Sequence, residues 1–324
     1  MPGTKAVGTT IYDPLGYMAP LPYFVRCYPY GFPADLASDS PDVLEAARES
    51  WGAYGPRFDR PPIRVHVTVS PAGGELPPAP VLRGQRHLLM WVADRENFSV
   101  IDRVQRFGYA CVTRATVEDR VFFRWHFLDA LIYMLLELNY LTALHGACVA
   151  REGAGVLLCG KSGVGKSTLS YACARRGWTY ISDDSSSILW DGSRTVLGES
   201  HHFRFRANAL ELFPELRGRT LGHPLGGKPT IEVWTADLAI RTARECRLER
   251  IVFLERNAEG GPCLARVSAG EVRRRISEDL APFDPDVEVQ RRGLIETICE
   301  LPGFELRYAH FEEALDLLEK VLPE

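Results

Sequence analysis

LHGACVAREGAGVLLCGKSGVGKSTLSYACARRGWTYISDD, residues 144–184, is the stretch on which the reading of this chain turns. Within it, Gly160 to Ser167 fits the spacing G-x-x-x-x-G-K-[ST]. The apolar segment VLLCG leads into the glycine-rich turn, and the helix-compatible segment KSTLSYACARR leads out of it. In a strand–turn–helix of that order, free amide N–H groups converge at a helix N-terminus and bind phosphate oxygens. Gly160, Ser162, Gly163, Val164, Gly165, Lys166, Ser167 and Thr168 are therefore the expected phosphate-binding residues. A bound nucleoside triphosphate is the first functional expectation.

Upstream, LHGACVA (144–150) and GAGVLLCG (153–160) are two apolar segments separated by Arg151 and Glu152 alone. A parallel crossover needs a dozen or more residues, so the two must form an antiparallel hairpin. Folding the chain at 152–153 pairs residue i with about 305 − i, which puts His145 opposite Gly160 at the start of the loop. His145 is thus a candidate site residue, set against the plainer reading of a core histidine at a strand start. Downstream, the helix is expected to stop at Arg175-Arg176-Gly177, and WTYIS reads as a strand that delivers Asp183-Asp184 at its C-terminal end. Adjacent carboxylates point in different directions, so one can serve a metal while the other faces an acceptor. The alternative is an ordinary Asp-Asp-Ser-Ser turn. Glu255, at the end of IVFLE, is the competing acidic partner. Arg204, Arg206 and Lys228 lie where they could complement phosphate or acceptor charge, or be solvated surface groups.

Around this centre, residues 1–118 read as a small β-rich module, with HLLMWVA, FSVIDRV and GYACVTR as strands and residues 1–60 as mostly irregular. Ser40-Pro-Asp opens a capped helix, and the aromatics between Tyr12 and Phe32 read as core packing, with a partner surface as the alternative. Residues 119–143 read as a connecting helix, and 144–324 as the nucleotide domain, closing with helices after the capping box Ser268–Glu271. The apolar run Ala130–Leu136 is far shorter than the ~20 residues of a membrane span. A net charge of −4 over 324 residues leaves no electrostatic footprint for nucleic acid. The N-terminal segment lacks the apolar core of a signal peptide, and the eight cysteines show no metal-ligand spacing. Buried free thiols and a cytoplasmic location are the expectations.

His145-Gly146, the loop Gly160–Ser167, Arg176-Gly177 and Asp183-Asp184 together resemble the catalytic domain of HPr kinase/phosphorylase and its related bacterial serine kinases. The spacing of fifteen residues from His145 to Gly160, and twenty-three from there to Asp183, is similar to that family's. The resemblance implies an α/β fold with a mixed sheet, of the HPr kinase/phosphoenolpyruvate-carboxykinase-like P-loop type. It also implies ATP and Mg2+ as cofactors and a hydroxyl-bearing acceptor, serine in a peptide, protein or small molecule. By the same resemblance Lys166 holds the β/γ-phosphates and Ser167 and Asp184 serve Mg2+. Asp183 takes the acceptor proton, with His145 beside it. The chain departs from the family at Thr168, where HPr kinases carry Glu, and it lacks their downstream Gly-Ile-rich signature. A homo-oligomer and a non-catalytic nucleotide-sensing scaffold of the same fold stay open.

Overall fold

The protein is described by a computed structural model covering residues 20–71, 74–219, 224–225, 228–256 and 261–322, with the backbone alone at 224–225 and 228–229. It divides at Leu135/Leu136 into two compact units. No helix among the described residues is long and apolar enough to cross a membrane.

The first unit is built on a seven-stranded sheet. Its strands are β1 (Tyr23–Cys27), β2 (Ala34–Ser38), β3 (Ile63–Ser70), β4 (Val81–Gln85), β5 (Leu88–Val92), β6 (Phe98–Asp102) and β7 (Phe107–Thr113), in the order β1-β2-β3-β7-β6-β5-β4. β2, β3 and β7 run parallel, and helix α1 (Pro41–Trp51) connects β2 to β3. β1 and β2 lie inside the stretch read as irregular, because prolines at 29 and 33 break the alternation a strand needs to be seen. The buried aromatics pack internally: Tyr30 stacks on Tyr133 at 4.7 Å and Phe32 on Phe58 at 4.2 Å. Tyr12 and Tyr17 lie outside the described residues.

The helical segment that follows is shorter and more broken than expected. It consists of α2 (Arg114–Glu118), α3 (Arg120–Phe123), a π turn (Arg124–Leu128) and α4 (Asp129–Glu137). The chain turns at Asn139 and Tyr140, whose amides both bond the Leu136 carbonyl, and Leu141–Leu144 is already strand. The apolar run is unbroken across that junction, and periodicity alone does not separate a buried helix from a buried strand.

In the second unit, β8 (Leu141–Arg151) and β9 (Ala154–Cys159) form the antiparallel hairpin in the expected register, with Gly146 opposite Cys159 and Arg151 opposite Ala154. Next come α5 (Lys166–Arg175), β10 (Thr179–Ser182), β11 (Ser185–Leu189), β12 (Thr195–Leu197), β13 (His202–Arg206) and α6 (Ala209–Leu212). They are followed by β14 (Pro224–Leu225), β15 (Lys228–Trp234), β16 (Arg241–Thr242), β17 (Glu245–Arg256) and β18 (Cys263–Val267). The chain ends with α7 (Ala269–Glu278), α8 (Pro285–Cys299), β19 (Gly303–Tyr308) and α9 (Phe311–Leu318). β17 pairs parallel with both β9 and β19, while β8 pairs antiparallel with β9, β10 and β11, so the sheet is mixed and the fold α/β.

β9 is apolar throughout because both its faces are covered. Val156 and Leu158 join a core roofed by α5, α9 and the small sheet of β13 and β15. Leu157 and Cys159 point to the opposite core, roofed by α7 and α8. Between these layers, one sheet edge carries the glycine loop.

Candidate functional site

The loop Gly160–Gly165 joins the end of β9 to the start of α5. Gly160, Gly163 and Gly165 take φ of +153°, +87° and +112°, values that side chains other than glycine rarely adopt. A Cβ at Gly165 would also stand 2.8 Å from the Tyr308 hydroxyl, which donates to the Val164 carbonyl at 2.7 Å. Tyr308, at the end of β19, thus holds the loop from behind.

Lys166 opens α5 and is buried, and its Nζ donates to the carbonyl of Gly160 at 2.7 Å and approaches that of Lys161 at 3.4 Å. Burial pulls its pKa below the usual lysine range, while Asp184 and Asp279 act in the other direction. The Ser167 hydroxyl lies against the Asp183 backbone carbonyl at 3.4 Å.

The two aspartates follow directly on the end of β10, as the sequence predicts, and lead into β11. β10 and β11 both pair antiparallel with β8, Ser182 opposite Cys148 and Ser185 opposite His145. Asp183-Asp184 is therefore the short link between two strands that both pair with β8, set opposite Gly146-Ala147, and the register shift in this path falls just before it, between Tyr180 and Ser182. A side chain at Gly146 would be crowded there, since a Cβ would stand 3.0 Å from the Leu158 carbonyl and 3.1 Å from the Leu157 side chain.

The two carboxylates lie in opposite environments, as successive side chains of an extended chain do. Asp183 is buried at 6% exposure, and its Oδ2 accepts from the Arg204 amide at 2.8 Å. Burial, with Asp184 and Glu199 nearby, pushes its carboxyl up to about 7 against the lowering effect of Arg204. Asp184 is exposed, and its Oδ1 stands 3.3 Å from His145 Nε2. The bond to His145, with help from Lys166 and Arg204, outweighs desolvation and holds Asp184 below the ordinary carboxylate range. Loop, lysine, histidine and both aspartates thus share one edge.

Three basic candidates fare differently. Arg204 contributes its backbone amide, while its guanidinium stands 3.8 Å from Glu199 and 3.6 Å from Glu232, so it is committed inside the protein. Arg206 is exposed at the end of β13. Lys228 begins β15, and its side chain lies outside the described residues. Glu255 is exposed and pairs with Arg307 at 3.2 Å.

The structure adds a residue that the sequence did not single out. Asp279, at the end of α7, places Oδ2 3.7 Å from His145 Nδ1. It follows a helix read as structural cover, and no short motif joins it to a histidine 134 residues earlier. A cavity of about 850 Å3 opens between the loop and α7, lined by His145, Gly160, Lys161, Ser162 and Asp279 among others. No group of three or more His, Cys, Asp or Glu able to hold a metal ion occurs among the described residues. All eight cysteines are free thiols.

Residues 137–214 match the family described as HPr Serine kinase C-terminal domain. The chain is 38% identical over 68 residues to an HPr kinase/phosphorylase of an Exiguobacterium species, covering 21% of this chain and 22% of that protein. It is 42% identical over 77 residues to the HPr kinase/phosphorylase of Bacillus pumilus, covering 24% and 23%. For that of Bacillus cytotoxicus the figures are 36% over 86 residues and 26% of each chain. The chain thus spans about a quarter of the length of the curated relatives it matches. The solved HPr(Ser) kinase/phosphatase of Coxiella burnetii aligns with 55% of this chain and 90% of its own at 12% identity and a TM-score of 0.30, an overlap too loose to add to the topology above. The matched segment contains the β8–β9 hairpin, the glycine loop, α5 and the aspartate pair, and through it the chain is related to the HPr kinase family.

Proposed function

We propose that the chain is a phosphotransferase that moves the γ-phosphoryl group of ATP, with Mg2+, to a hydroxyl acceptor: serine in a peptide or protein, or a small alcohol. One observation carries the reading, the convergence on a single edge of a glycine loop with its buried Lys166 and the Asp184–His145 pair. Phosphoryl transfer asks for in-line alignment and charge neutralisation more than for covalent chemistry, and these groups supply both. The loop amides and Lys166 are suited to the β- and γ-phosphates. Lys166 now spends its protons on the Gly160 and Lys161 carbonyls, bonds that a phosphate oxygen would replace.

The donor set fits a hard cation. The Ser167 hydroxyl and the aspartate carboxylates offer oxygen only, and Mg2+ takes one or two protein oxygens, with water and phosphate completing its shell. When bound, Mg2+ supplies further neutralisation of phosphate charge.

The sequence reading puts the proton acceptor on Asp183 and the metal-side role on Asp184, whereas the geometry favours the reverse. Asp184 is exposed and held in its ionised form beside His145, in the field of Lys166. Asp183 is buried, bonded to the Arg204 amide, and has the Ser167 hydroxyl against its carbonyl. In this assignment the acceptor hydroxyl gives its proton to Asp184 as its oxygen bonds to phosphorus and the bond to ADP breaks.

The test is incubation with γ-labelled ATP and Mg2+ against peptides, amino acids, small alcohols and a lysate, with mass spectrometry of labelled products. Lys166→Ala is expected to lose both ATP binding and transfer. Asp184→Asn is expected to keep ATP binding and lose transfer by about 10²- to 10⁴-fold, a larger loss than Asp183→Asn. A larger loss in Asp183→Asn would restore the sequence assignment. Nucleotide-dependent binding of a partner with no labelled product would favour the scaffold reading instead.

A further inference from the structure

His145 stands between two carboxylates from distant parts of the chain, with Asp184 at Nε2 and Asp279 at Nδ1, 3.3 Å and 3.7 Å away. We propose that Asp279 is a positioning residue that fixes the ring orientation of His145, making the end of α7 part of the phosphotransfer site. This rests on the proposed function for its catalytic consequence, though not for the geometry itself.

Three observations carry it. First, Asp279 is poorly explained as a structural residue. It ends α7, where the helix dipole is negative and favours cations, so a carboxylate there is opposed by the helix it caps. Second, its position is set by its surroundings. Val272 and Ile276 of α7 are buried in the core. Arg275 also ties the helix to β19 through Glu305 at 2.6 Å while lying over the Phe253 ring at 5.0 Å. Third, its carboxylate, though exposed, lies close enough to act through space on Lys166 and on Cys159 at the end of β9 as well as on His145.

A neutral imidazole carries one N–H. Nε2–H donates to Asp184 when the proton sits there, and Nδ1–H is drawn to Asp279 when it sits there, so a carboxylate at each ring nitrogen holds the ring plane in the site. The 3.7 Å separation is longer than a direct hydrogen bond, so contact requires a small closure of α7 or a bridging water. Either fits a site whose open side is the cavity between α7 and the loop. Asp279 lies outside the matched segment 137–214.

The experiment uses the full chain with 15N-labelled histidine, His145 being identified by the resonance missing from His145→Gln. In Asp279→Ala the His145 ring-nitrogen shifts should move, and in Asp279→Asn, whose carbonyl still accepts from Nδ1–H, they should return most of the way. With an acceptor in hand, Asp279→Ala should lower kcat about 10- to 100-fold, as for other groups that orient a site imidazole, while ATP affinity stays within about twofold. The loss should vanish when Asp279→Ala is added to His145→Gln. Unmoved His145 resonances in Asp279→Ala overturn the proposal, and so does an undiminished loss in the His145→Gln background. If wild type phosphorylates no acceptor, the proposed function falls, while the resonances still decide whether Asp279 orients His145.

Discussion

Asp183 and Asp184 are neighbours in the chain with opposite electrostatics, which makes them separable by experiment. The carboxyl of Asp183 is pushed up to about 7 in the folded protein, against an ordinary value of 3.8. Between those two values the folded state holds a proton that the unfolded chain has lost. Stability therefore falls as pH rises from about 4 to 7, and the cost of burying the charge is fully present above 7. Asp183→Asn keeps an oxygen for the Arg204 amide and removes the charge. In chelator, denaturant unfolding of Asp183→Asn should match wild type near pH 4 and exceed it at pH 8, by at most about 4 kcal/mol. A difference that does not change with pH would disprove the buried-charge account. The same residues mark a limit of sequence reading. That Asp183-Asp184 falls beside the loop is legible from its spacing, but which carboxylate turns inward depends on β13 bringing the Arg204 amide to Asp183, which no local pattern records.

At the scale of elements, helix α8 is held to Glu137, the last residue of α4, by a buried ion pair. Arg291 is 2% exposed and donates to Glu137 at 2.8 Å and to the Ala281 carbonyl at 2.7 Å, under the Phe283 ring at 4.3 Å. Burial raises the Glu137 carboxyl, and Arg291 opposes that rise. Removing one member of such a pair leaves the other charge buried without compensation. Arg291→Ala should therefore cost about 3–5 kcal/mol in equilibrium unfolding. Replacing both partners by methionine should recover most of it. A loss below about 1 kcal/mol in Arg291→Ala would show the pair to be well solvated. Elements with a clear chemical boundary were readable in advance. The hairpin register followed from a connection too short for any crossover, and α7 from Ser268, whose hydroxyl accepts from the Glu271 amide at 3.2 Å. The junction near residue 140 was not, because apolar residues continue across it with no change of period.

For the molecule as a whole, the two cores of the second unit draw every buried member from Leu144 to Val321. A fragment of residues 136–324 should accordingly unfold cooperatively and show an ATP-dependent rise in Tm, measured by thermal melts with and without nucleotide. Loss of cooperative unfolding in the fragment would mean that its cores depend on the first unit. Within this unit the chemistry-bearing loop, the hairpin histidine and the aspartate pair lie within forty consecutive residues, 145–184. Short spacing and backbone stereochemistry specify such a group locally: glycines for positive φ, a two-residue connection for the hairpin, a lysine and serine opening a helix. The inward or outward facing of each aspartate, the withdrawal of Arg204 to Glu199 and Glu232, and the arrival of Asp279 beside His145 are of another kind. Each depends on groups far apart in sequence being brought within a few ångströms by packing of β17, β19 and α7 on the sheet, and burial and charge act through space, not along the chain.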